Sequence, residues 1–162
     1  DVEDPAASSQ GYGLVKFTNL KDDGTYTTDE GLVSTDFPMI RLADVYLMYA
    51  EAVLRGGGGS VQEAIRLVNS IRQRGYGSSA GAIDQAQLTL DFILAERGRE
   101  LFWECTRRTD LIRFGKFTGS NYLWQWKGGD MNGRSVDAKF NLYPIPTTDM
   151  SADPNLIQNP GY

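Results

Sequence analysis

Between Leu88 and Gly115 the chain reads LTLDFILAERGRELFWECTRRTDLIRFG, and both signs of charge recur in a fixed order. Glu96, Glu100 and Glu104 come every four residues, so on a helix they form one stripe. Arg97 lies three residues before Glu100, and Arg108 lies four after Glu104. At both spacings opposite charges on a helix sit side by side. The pattern predicts one long amphipathic helix over 88–115, capped by Thr89 and carrying Asp91 in its first turn. A chain built round such a segment is bound towards a mainly helical fold.

Composition removes several functions. The 162 residues are one domain's worth and can bury most of the surface the unfolded chain would expose. A net charge of −5 argues against nucleic acid, whose phosphates demand clustered Lys and Arg. It also supplies no basic face for anionic lipid. There is no histidine, which removes the commonest general base and His-ligated zinc. Cys105 is the sole cysteine, so no internal disulfide or thiolate cluster can form, and it reads as a small packed side chain. Asp22-Asp23, Asp29-Glu30 and Asp130 follow no calcium-loop spacing and read as solvated acids, so no metal or cofactor is expected. No apolar run is long enough to span a bilayer. Asp1-Val2-Glu3-Asp4-Pro5 reads as a solvated start without a signal peptide.

Residues 1–11 read as loose, Tyr12–Asn19 as a strand, and Lys21-Asp22-Asp23-Gly24 as a turn. A first helix is expected from near Pro38 to Gly56, with Leu42, Val45, Tyr46, Tyr49, Ala52 and Val53 on its apolar face. Gly56-Gly57-Gly58-Gly59 is a connector without the Lys-Ser/Thr of a phosphate loop. A second helix starts at Ser60, whose hydroxyl and Glu63 spell a capping box, and stops near Gly75. Its buried stripe is Val61, Ala64, Ile65, Val68 and Ile71. Together the two make a helical hairpin over 38–75, similar to one tetratricopeptide repeat. No second copy follows, and one copy cannot close a solenoid alone. Gly75–Gln87 and Phe117–Lys139 read as loops. Phe140–Pro146 reads as a short edge strand, since Pro144 and Pro146 cannot donate to a ladder. The tail from Asp153 to Tyr162 is expected to pack back on the domain.

The pattern E-R-x-x-E-L-x-x-E-x-x-R-R-x-D-L-x-R, continuing to Phe114-Gly115-Lys116, resembles the helix near the C-terminal end of the SusD/RagB family. These are surface nutrient-binding lipoproteins of Bacteroidetes. Tyr143-Pro144-Ile145-Pro146 and Gln158-Asn159-Pro160-Gly161-Tyr162 resemble that family's C-terminal signature. Arg41-Leu42-Ala43-Asp44, Tyr49-Ala50-Glu51-Ala52 and Val68-Asn69-Ser70-Ile71-Arg72 match its last helical hairpin. Two positions depart from the family: Cys105 stands where glycine is common, and Thr109 where an aromatic is common. The resemblance implies a mainly α fold, a tetratricopeptide-like hairpin plus a long third helix with a few short β-strands, within one domain over 1–162. It implies a C-terminal segment of a protein whose signal and lipid anchor this chain lacks. It further implies non-catalytic binding of oligosaccharide or starch-like glycan at the outer membrane, and delivery to a SusC-like TonB-dependent transporter.

Two constellations could carry chemistry. Three carboxylates on one helix face invite a glycosidase reading. Arginines stand within reach of each: Arg97 for Glu100, Arg99 for Glu96, Arg107 or Arg108 for Glu104, and Arg107 or Arg113 for Asp110. Carboxylates so paired stay ionised and make poor general acids, so a structural network is the better reading. The second is Asn121-Tyr122-Leu123-Trp124-Gln125-Trp126-Lys127-Gly128-Gly129-Asp130. Tyr122, Trp124 and Trp126 alternate among polar residues, the mix a carbohydrate site needs, with flat rings for sugar faces and polar groups for hydroxyls. Alternation would equally put all three on one face of a buried strand that anchors a long loop. The competing function is a helical-repeat interaction module that docks a protein partner and binds no sugar.

Overall fold

A computed structural model of the chain describes residues 16, 17, 20, 21, 23–26 and 36–162. They fall into two compact units, Asp1–Thr106 and Arg107–Tyr162. The loose start and most of the strand expected over 12–19 lie outside the described residues. The turn after it is present where described. The Gly24 N–H donates to the Lys21 carbonyl at 2.9 Å, and Leu20 and Tyr26 form an antiparallel bridge. The fold is mainly helical, as the sequence implies. No helix among the described residues is long and apolar enough to cross a membrane.

In the first unit, α1 (Leu42–Leu54) and α2 (Val61–Tyr76) form the expected hairpin, and α3 (Leu90–Glu100) packs against α1. Its core is Leu47 and Ala50 of α1, Ala64, Leu67, Val68 and Ile71 of α2, and Ile93 and Leu94 of α3. Each fully buried Leu or Ile contributes about 1.5–3 kcal/mol. The inward face of α1 differs from the expected one. Leu42, Val45 and Ala52 are exposed, and Leu47, Ala50 and Glu51 are buried instead. This helix is apolar nearly all round, so periodicity could not pick the face, and the two flanking helices did.

Ser60 caps α2, its Oγ accepting from the Glu63 N–H at 3.2 Å. The return half of the capping box is replaced. The Glu63 carboxylate takes Arg66 at 2.7 and 2.6 Å, and the Ser60 N–H donates to the Tyr49 hydroxyl at 3.0 Å. The helix runs one residue past Gly75 and ends on Gly77 at φ 67°, a left-handed C-terminus that glycine adopts without strain. The loop that follows is clamped by Asn69. Its amide accepts from the Ile83 N–H at 2.8 Å and donates to the Ile83 carbonyl at 2.9 Å.

Thr89 caps α3 as expected, but the helix does not continue to residue 115. It stops at Glu100, and a second helix, α4 (Arg107–Arg113), begins seven residues later. Trp103 and Cys105 between them have φ of 64° and 60°, which a right-handed helix cannot contain. The break takes Glu104 out of the helical stripe that its spacing suggests.

The second unit holds α4, α5 (Thr147–Ala152) and single turns of 3₁₀ helix at Lys127–Gly129 and Ala138–Asn141. The strand expected over 140–146 is not formed. Residues 143–146 belong to no regular element, and the partner of Ile145 is a side chain. The Ile145 N–H donates to Gln158 Oε1 at 2.8 Å, and Gln158 Nε2 donates back to the Ile145 carbonyl at 2.9 Å. Asn159 Nδ2 adds a bond to the Tyr143 carbonyl at 2.7 Å, and the Tyr162 hydroxyl donates to the Leu142 carbonyl at 2.9 Å. Pro144 and Pro146 have no N–H, so Ile145 offers the one donor of that triplet. The two C-terminal sequence blocks are thus two halves of one clamp, and the tail packs back as expected.

Candidate functional site

Two clusters of side chains stand out, one in each unit. In the first unit the carboxylates are engaged by arginines and a lysine, mostly from other elements. Arg41, just before α1, donates to Glu100 Oε1 at 2.5 Å and to both oxygens of Glu104 at 2.7 Å. Lys16 also bonds Glu104, and Arg74 of α2 bonds Glu100. Arg97, 3% exposed, reaches Asp44 of α1 at 2.7 Å, and Glu96 takes Arg72 of α2 at 2.7 Å together with Arg99 at 2.5 Å. Of the pairs expected along one helix, Arg99–Glu96 forms, as does Arg113–Asp110 at 2.8 Å in the second unit. Glu100 and Glu104 take their charges across the hairpin instead. Arg108 is turned to the Phe140 carbonyl at 2.7 Å.

The electrostatics follow from that geometry. Burial pushes the Glu104 carboxyl up, but the hydrogen bonds and charges of Arg41 and Lys16 outweigh it and hold it below its ordinary value. The Arg41 guanidinium is raised chiefly by its hydrogen bonds to Glu104. Glu96, Glu100 and Glu104 are each bound by guanidinium or ammonium groups from other parts of the unit. This cluster therefore has the chemistry of a brace.

The second cluster is a cleft of about 280 Å³ in the second unit, walled by Phe117, Trp124, Phe140, Leu142, Tyr143 and Tyr162. Arg108 and Lys127 are its cationic members. The Arg108 guanidinium lies 4.0 Å from the Tyr143 ring centroid and 5.2 Å from that of Phe117. Phe140 and Tyr162 meet edge to face at 6.5 Å. Trp124 is 38% exposed, so part of its ring is open to a ligand.

The three aromatics singled out from sequence are not on one strand face. Tyr122 and Trp124 meet at 5.9 Å with planes tilted by 54°, but only Trp124 lines the cleft. Tyr122 is occupied, its hydroxyl taking Arg107 at 3.1 Å and its ring lying 5.5 Å from the Lys116 ammonium. Trp126 is half-buried at φ 68°, opening the 3₁₀ turn at Lys127. The segment around them is a stitched loop rather than a strand. Gly133, at φ 77°, passes so close to Trp124 that a Cβ there would lie 2.4 Å from its carbonyl oxygen. The other aromatics of the cleft come from Phe117 and from the C-terminal clamp, and no local pattern links them to Trp124.

A helical hairpin braced by buried ion pairs, joined in sequence to a unit with an aromatic cleft, defines a helical scaffold suited to binding. A family model for the SusD family matches residues 2–162, and the chain belongs to that family. It is 40% identical over 155 residues to the starch-binding protein SusD of Bacteroides thetaiotaomicron, a match that covers 95% of this chain and 26% of that protein. Among solved structures it is similar to a SusD superfamily protein of the same species, with a TM-score of 0.62 and 31% identity over 82% of this chain and 29% of that one. It is also similar to surface glycan-binding protein A of Bacteroides uniformis, with a TM-score of 0.58 and 26% identity, covering 86% of this chain and 35% of that one. The chain spans about a quarter of the length of the curated relatives it matches.

Proposed function

We propose that this chain is part of a non-catalytic glycan-binding protein of the bacterial cell surface. Its ligand is an oligosaccharide or starch-like glycan, which it passes to a SusC-like TonB-dependent transporter in the outer membrane. The observation that carries the reading is the 40% identity to a protein named for binding starch, spread over 95% of this chain. The similarity to a structure named as a surface glycan-binding protein supports it. The chemistry of the second unit is compatible with it. Sugar rings present apolar C–H faces that stack on aromatic rings, and the cleft offers several such rings with two cations beside them. Within this chain the proposed contact residues are Tyr122, Trp124 and Trp126, with Trp124 foremost because its ring opens on the cleft.

The test is a pair of measurements on each variant, a thermal melt and a maltoheptaose isotherm. Trp124→Ala is expected to weaken binding by about tenfold or more, a loss of roughly 1.4 kcal/mol or more, while Trp124→Phe keeps part of it. Unchanged binding by Trp124→Ala at unchanged stability would move the sugar site away from this loop. Trp126→Ala is expected to lower stability more than affinity, because its ring is half-buried. A second reading, that the hairpin docks a protein partner, is favoured by the exposed apolar row Leu42, Val45 and Met48 on α1. On that reading the chain binds no sugar, and a maltoheptaose isotherm showing binding by the unsubstituted chain would exclude it.

A further inference from the structure

The loop that carries Trp124 also carries a lysine in an unusual place. Lys127 is 2% exposed. Long charged side chains are almost never buried to that degree without a paired charge, since removing an ammonium from water is costly. Among the described residues its hydrogen-bond partners are three backbone carbonyls. The ammonium donates to Tyr122 O at 2.6 Å, Gly119 O at 3.3 Å and Lys116 O at 3.5 Å. It also lies 4.7 Å from the centroid of the Trp124 ring, within range of a cation–π contact.

We propose that Lys127 is a positioning residue whose buried ammonium acts as a built-in cation among three loop carbonyls and fixes the Trp124 ring in the wall of the aromatic cleft. Three carbonyl oxygens that converge on one point repel each other unless positive charge sits between them. The ammonium supplies it and so draws in the loop from Lys116 to Tyr122. Its fourth contact is the face of Trp124. The backbone completes the arrangement, with the Lys127 N–H donating to the Trp124 carbonyl at 3.0 Å and the Gly119 N–H to the Val136 carbonyl at 3.0 Å. Burial pushes the Lys127 ammonium below the usual lysine range. The value of this placement to ligand binding rests on the glycan reading above, but the placement itself is tested without a sugar.

The experiment uses the full chain with Trp103→Phe and Trp126→Phe, so that Trp124 is the one indole reporting. Near-ultraviolet circular dichroism and acrylamide quenching are read for Lys127→Met, which keeps length and loses charge, and for Lys127→Arg, which keeps charge. In Lys127→Met the Trp124 dichroic band is expected to vanish and quenching to rise towards that of a free indole. The far-ultraviolet helical signal, dominated by α1, α2 and α3, should persist. Lys127→Arg should recover part of the band. If Lys127→Arg also loses it, Lys127→Ala is titrated with propylammonium, which matches the three carbons and ammonium removed, and, in parallel, with propanol. Recovery by the amine alone supports the proposal. Recovery by both or by neither overturns it, as does an unchanged band in Lys127→Met. With all other residues native, Lys127→Met should bind maltoheptaose about tenfold more weakly. If the unsubstituted chain binds no glucan while the Trp124 signal still depends on the charge, the glycan reading fails and the role of Lys127 stands.

Discussion

Cys105 holds φ of 60°, in the left-handed region that costs a side-chain-bearing residue about 1–2 kcal/mol. Glycine adopts such a backbone without strain. Cys105→Gly should relieve the strain and lose part of the gain to the greater freedom of the unfolded chain. The expected outcome is a rise in stability of up to about 1 kcal/mol, read as a higher melting temperature. Cys105 is exposed rather than the packed side chain expected from sequence, so an unchanged or lower value would mean that the added freedom of the unfolded chain cancels the relief of strain. The charge spacing around Cys105 reads as uninterrupted helix, whereas the chain turns there. Trp124 lines the cleft, but not by the route its alternation with Tyr122 and Trp126 suggests. Alternation suggested a strand face, whereas a stitched loop and a buried lysine set the ring's direction.

At the scale of elements, the brace between α3 and the hairpin depends on charges that meet from distant parts of the chain. Arg41 lies 63 residues from Glu104, and they share two hydrogen bonds of 2.7 Å. Arg41→Ala leaves Glu104 buried beside Lys16 alone, and should cost about 3 kcal/mol in a thermal or urea melt. Arg97→Ala should cost a similar amount, because Arg97 is 3% exposed against Asp44. The acid limb follows from sign. The folded-state pKa of Glu104 lies below its ordinary 4.5, so in acid the unfolded chain binds more protons there than the folded one. The stability this group contributes is present above about pH 4.5 and is lost as pH falls through the folded value. Glu104→Gln should therefore be less stable at neutral pH and flatten the acid limb of a stability–pH curve. An acid limb unchanged by the substitution would remove Glu104 from the brace.

For the molecule as a whole, α1 shows how much context decides. Met39 and Ile40 before it are 88% and 83% exposed, and Leu42, Val45 and Met48 continue the apolar row along the helix. Because these side chains contribute little to this chain's own packing, Val45→Gln with Met48→Gln should change its stability by no more than about 0.5 kcal/mol per site. A melt checks this, and a loss of several kcal/mol would show that the row is covered within this chain. Legible along the chain were the helical class, the hairpin with its Ser60 and Thr89 caps, the family, and Ala64, Val68 and Ile71 of the α2 core, though not Leu67, which is buried while the expected Val61 and Ile65 are half-buried. Those properties rest on residues close together along the chain, where spacing and cap chemistry act directly. Tertiary structure decided the inward face of α1, the break between α3 and α4, the partners of Glu100 and Glu104, and the aromatics that join Trp124 around the cleft. Each depends on residues tens of positions apart, and neither a helical period nor a nearby charge specifies which distant surface will arrive.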